Sequence, residues 1–60
     1  MANEETRRVL KVFGVAVTSL EEAIERKAPF AEIMKWDREV ADRMREVIDL
    51  VDRLRSRRIA

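Results

Sequence analysis

Glu25-Arg26-Lys27-Ala28-Pro29-Phe30 holds the only proline of a 60-residue chain, and its reading decides the fold. Proline donates no backbone hydrogen bond and disfavours helical geometry in the residue before it, so a helix arriving from the amino side must end before Pro29. In a first helical turn the missing N–H would have had no partner anyway, so a second helix is free to start at the same residue. Apart from Gly14, nothing else between Glu4 and Arg58 argues against helix. At the amino end Asn3 is a good N-cap, and Glu4 and Glu5 set negative charge against the positive end of the helix dipole. Arg26 and Lys27 suit a carbonyl end. The pattern predicts helices over about 4–27 and 29–58.

Both segments carry the same apolar spacing. The first reads Val9-Leu10, Phe13, Ala16-Val17, Leu20, Ala23-Ile24; the second reads Ile33-Met34, Asp37, Val40-Ala41, Met44, Val47-Ile48, Val51, Leu54. Three apolar positions per seven residues is the pattern of bundle helices packed with slight left-handed supercoiling. The two stripes are offset by 24 residues, which is not a multiple of seven, so an unbroken helix would carry its stripe sideways at the proline. A hairpin absorbs that offset. The connection lacks the Gly or Asn that commonly closes a helix in left-handed geometry, which is the argument for a kinked single helix instead. The reading favours an all-α fold: one domain, residues 1–60, built as a two-helix antiparallel hairpin. Folding about residues 28 and 29 sets Leu20 near Asp37, Val17 near Val40, Phe13 near Met44 and Leu10 near Val47, with the last turns of the second helix, from Arg53 onward, passing the start of the first.

Two helices cannot enclose a core, and chains this short are marginal alone. With no cysteine there is no disulfide, and with no histidine the commonest transition-metal ligand and the usual general base are both missing. No catalytic, cofactor or metal residues are expected, and the chain does not read as an enzyme. A composition of 47% hydrophobic and 42% charged residues is that of a long-helix protein, and a formal charge of +1 provides no global field that would select nucleic acid or an anionic membrane. The segment Met1-Ala-Asn-Glu-Glu lacks the basic start of a secretory signal, and Val9–Val17, interrupted by Lys11, is about half the length of a bilayer span. The cytoplasm is the expected location, with no membrane partner.

Helix one is hydrophobic nearly all round between Val9 and Val17, which marks an interior helix. Val9, Val12, Phe13, Gly14, Val15, Ala16, Val17 and Leu20 are therefore the expected oligomer interface, and a homodimeric four-helix bundle is the simplest closed product. Gly14 costs about 1 kcal/mol relative to alanine inside a helix, so its place among bulky neighbours reads as a close helix crossing. Asp37 holds a stripe position occupied elsewhere by Phe13, Leu20, Met44 and Val51, where a carboxylate is costly unless paired. Trp36, Arg43 and Leu50 share the flank of the second helix and form a candidate face for another protein, since tryptophan and arginine are enriched at interaction hot spots. Arg7, Arg8, Arg53, Arg55, Arg57 and Arg58 collect at the open end and are the candidate phosphate contacts, although Glu4, Glu5, Asp49 and Asp52 share that end.

Two resemblances accompany these residues. Met44-Arg-Glu-Val-Ile-Asp-Leu-Val-Asp-Arg-Leu is similar to the opening helix of the all-helical chorismate mutases, with Arg45 at the position of a substrate-contacting arginine; the likeness covers eleven residues and excludes the helices that would supply the other catalytic groups. In architecture the hairpin resembles Rop-like regulators, helical hairpins that dimerise and bind paired RNA, which implies a nucleic-acid role for the arginine cluster as the alternative to an interaction or assembly module. An engineered bundle is a further alternative; Gly14, the valine-rich first helix and the glycine-free connection count against an idealised design.

Overall fold

Asn3 begins the first helix as its spacing requires. Its backbone is extended and its side-chain oxygen accepts a 2.8 Å hydrogen bond from the Thr6 N–H, which satisfies one of the donors left free at a helix start. The computed structural model describes residues 3–59, which form α1 (Glu4–Glu25) and α2 (Phe30–Ile59), two helices packed side by side as a hairpin. The principal extents are 47 × 18 × 12 Å. At about 1.5 Å per residue, α2 alone spans nearly the whole of the longest.

The first helix stops at Glu25, two residues before the expected Lys27, and the closure explains why. Lys27 takes the left-handed conformation, with φ 56°. Its N–H bonds to the Ile24 carbonyl at 3.1 Å, and the Ala28 N–H reaches back to the Ala23 carbonyl at 2.9 Å. This pair of bonds is the Schellman motif, normally built on glycine because a Cβ is strained in left-handed geometry. Here a lysine does what the connection lacked a glycine to do. Arg26 and Lys27 consequently lie just beyond the last turn of α1 instead of inside it. Pro29 stands immediately before α2, one residue ahead of the expected arrangement, and its carbonyl receives the N–H groups of Glu32 and Ile33 at 3.0 and 3.2 Å.

Two ion pairs mark the register. Arg26 pairs with Glu32 across the turn, and Arg53 with Glu5 at 3.1 Å near the open end; each pair is equidistant from Pro29. To within one residue of this register Ala23 lies level with Trp36, Ala16 with Arg43 and Val9 with Leu50. Arg53 was expected to overhang the start of α1, and instead it is met by Glu5. The overhang begins beyond it, where Ser56 and Arg57 lie beside Asn3.

The rotation of the helices about their axes differs from the expected one. The buried residues are Val9, Ala16, Ala23 and Leu50, with Trp36, Val40, Arg43 and Val47 half-buried along the same seam. Leu10, Val17, Asp37 and Met44, placed between the helices by the sequence reading, are exposed. The physical reason is volume. Ala16 and Ala23 leave room that the large side chains of Trp36 and Arg43 fill, and turning the stripe residues inward would set bulk against bulk.

Lys27→Gly should raise the unfolding free energy by roughly 0.5–1 kcal/mol, because glycine adopts the left-handed cap without a Cβ penalty. Urea titration followed by circular dichroism measures it; a lower midpoint would show that the turn does not close at this residue.

Candidate functional site

Helical geometry turns each successive residue by about 100° around the axis. Measured from the seam, the exposed apolar residues of α1 (Leu10, Val17, Ile24, flanked by half-buried Phe13 and Leu20) lie roughly 80–100° round in the direction of increasing residue number. Those of α2 (Met34, Ala41, Met44, Ile48, Val51) lie in the same sense from its own seam. For two antiparallel neighbours, equal rotation in the same sense brings both stripes to one side of the hairpin. The result is a single apolar face running from the turn towards the open end, with Phe30, 77% exposed, at its turn end. Shallow open grooves cross it, one lined by Val17, Leu20 and Ile24, another by Asp37, Ala41, Met44 and Ile48.

The residues expected to mediate association divide among three locations. Val9 and Ala16 are buried in the seam within the chain, so they have little surface left for another subunit; Val12 is half-buried beside them. Phe13, Val17 and Leu20 belong to the apolar face. Gly14 lies at the outer edge of that face, where a built Cβ would meet nothing within 4 Å, whereas Val15 is 57% exposed on the opposite flank. Gly14 is therefore not needed for the approach of α1 to α2, and its carbonyl accepts a 2.9 Å hydrogen bond from the Thr18 hydroxyl.

Trp36, Arg43 and Leu50 do share one face, but it is turned towards α1. Arg43 is half-buried in the middle of the seam and is flanked on its own helix by two carboxylates, with Glu39 Oε2 at 3.5 Å from its Nε and Glu46 bonded to Nη1. The buried Nε makes no hydrogen bond. Lys35 sits over the Trp36 ring with its ammonium 4.7 Å from the centroid, a cation–π contact.

The arginine cluster does gather at the open end. Arg53 and Arg57 line a shallow depression with Asn3, Glu5, Leu50 and Ser56, while Arg7 and Arg8 near the start of α1 and Arg58 near the end of α2 are exposed. Acids are interleaved: Arg53 is paired with Glu5, and Arg55 with Asp52 at 3.7 Å. Among the described residues no cluster of three metal-ligating side chains occurs, and no helix is long and apolar enough to cross a membrane. Comparison with known proteins finds no matching family model, no similar curated protein and no similar solved structure. The surface of the hairpin itself carries the functional argument.

Trp36→Ala should destabilise the hairpin by roughly 2–3 kcal/mol, since it removes the largest side chain of the seam and leaves space above Ala23. Thermal unfolding of the variant measures it; a change within about 0.5 kcal/mol would return Trp36 to a purely external role.

Proposed function

We propose that this protein is a small self-associating helical module, a structural or regulatory subunit whose apolar face is covered by a second copy to complete a four-helix bundle. One observation carries the reading. The chain exposes 5033 Å². A folded monomer of 7.1 kDa would be expected to expose about 4,100 Å². The excess of about 900 Å² is close to the ~800 Å² that each partner contributes to a standard stable interface. It also sits with the apolar face, where side chains as large as Ile48 and Leu10 are half in water.

The composition of the seam supports the same conclusion. Of the four residues buried among those described two are alanines, so the hairpin encloses little apolar volume of its own. Burying an aliphatic side chain contributes ~1.5–3 kcal/mol, and the face offers several such side chains that one chain leaves uncovered. A second copy supplies a face of identical length and curvature, and two-fold pairing is the commonest way for identical chains to associate. The heptad pattern fits: in a four-helix bundle each helix meets two neighbours about a quarter-turn apart, as the seam and the apolar face are here.

Sedimentation equilibrium should give twice the chain mass of 7.1 kDa at micromolar concentration. Val17→Asp and Ile48→Asp, each placing a charge on the face and away from the seam, should weaken association by roughly 100-fold while leaving α-helical circular dichroism in place at high concentration. A stable folded monomer at micromolar concentration rejects the proposal.

A further inference from the structure

The apolar face carries one misplaced charge. Asp37 lies in line with Met44 and Val51, is exposed, and makes none of the ion pairs found among the described residues. Its counterpart along α2 is Arg55, one turn beyond Val51 on the same face. Arg55 is held only by a solvated contact with Asp52, its side chain 71% exposed. Asp37 and Arg55 are equidistant from residue 46, close to the middle of α2. The outer edges of the face repeat the arrangement. On α1, Arg7 and Glu21 stand one heptad either side of Gly14; on α2, Arg38 and Asp52 stand one heptad either side of Arg45. Arg7, Glu21 and Arg38 also have no ion-pair partner among the described residues.

Building on the proposed self-association, we infer that the second copy packs with its turn at the opposite end of the bundle, so that Asp37 of each copy meets Arg55 of the other. A two-fold axis at the level of Gly14 and residues 45–46, perpendicular to the helices, sets each helix beside its own copy running the other way. It joins Asp37 to Arg55, Arg38 to Asp52 and Arg7 to Glu21, every pair of opposite sign and every pair formed twice. At the centre, α1 meets α1 at Gly14, where the open space at its Cβ position lets the backbones come close.

The other way of closing the bundle places both turns at one end, with each α1 beside α2 of the other copy. That arrangement also matches the edges, bringing Arg7 to Asp52 and Glu21 to Arg38. Asp37 separates the two. With the turns together, both Asp37 carboxylates enter one layer beside Leu20, where Arg38 is taken by Glu21 and Asp37 has no arginine of its own, and desolvation and like charge both oppose it. With the turns apart, the two Asp37 residues lie at opposite ends and each has an arginine. The cost of this arrangement is Arg45 facing its own copy, but that side chain is 83% exposed and water screens it. A buried like-charge layer outweighs a solvated one.

The absence of native cysteine allows a single label. Lys27→Cys, spin-labelled in the turn, should give an inter-copy distance of ~40 Å by pulsed dipolar spectroscopy, from ~1.5 Å of rise per residue on each side of the centre; a distance under ~25 Å overturns the orientation. Asp37→Arg should weaken dimerisation about tenfold or more in sedimentation, and the exchange Asp37→Arg with Arg55→Asp should restore it. A long distance without that recovery overturns the Asp37–Arg55 contact. A monomer in sedimentation of the unsubstituted chain instead overturns the self-association on which this inference depends, so the failures are told apart.

Discussion

A helix hairpin has one seam, and each helix of this chain carries an apolar surface wider than one seam can cover. That mismatch governs the rest of the molecule. An apolar arc of three positions in every seven spans two neighbour directions about a quarter-turn apart, and the chain supplies only one neighbour. Whichever rotation the helices adopt, an apolar strip is left in water. The rotation adopted sets Ala16 and Ala23 beneath the bulk of Arg43 and Trp36 and leaves the strips of both helices open on the same side. The seam closes the hairpin, and the remaining face is the apolar surface on which the proposed self-association rests.

The turn makes this geometry possible at low cost. A left-handed lysine is strained by about 1–2 kcal/mol, yet the Schellman bonds satisfy carbonyls that would otherwise be open at the end of α1. Pro29 then prevents the first helix from running on and starts the second in a fixed direction. Short connections of this kind hold the helices antiparallel, so their rotations are coupled and the two exposed strips cannot drift to opposite sides.

Much of the architecture is legible in residue order because it depends on local chemistry. The Asn3 cap, the break at Pro29 and the shared heptad pattern of the two segments each act within a turn or two of chain, and the all-helical hairpin follows from them. The glycine-free connection was the argument against that hairpin. It misleads because the preference for glycine in left-handed caps is a matter of about a kilocalorie, which the rest of the fold overrides at Lys27. The candidate surfaces were less legible. Trp36, Arg43 and Leu50 look like an outward flank when the centre of the stripe is taken as the seam, and Val9 and Ala16 look like interface for the same reason. The signal that distinguishes them is side-chain volume: alanine recurs on one helix at the level where tryptophan and arginine stand on the other.

The sequence by itself determined the number of helices, their bounds to within about two residues, and that more apolar surface exists than two helices can bury, since all of these depend on neighbours a few residues away. Only the tertiary structure decided which part of each stripe is spent inside the chain and which is left outside. Alternative rotations of two amphipathic helices bury similar apolar area, so the hydrophobic effect, being proportional to area and without direction, does not choose among them. Packing does, because Ala16 and Ala23 accept large side chains across the seam and bulkier residues there would not.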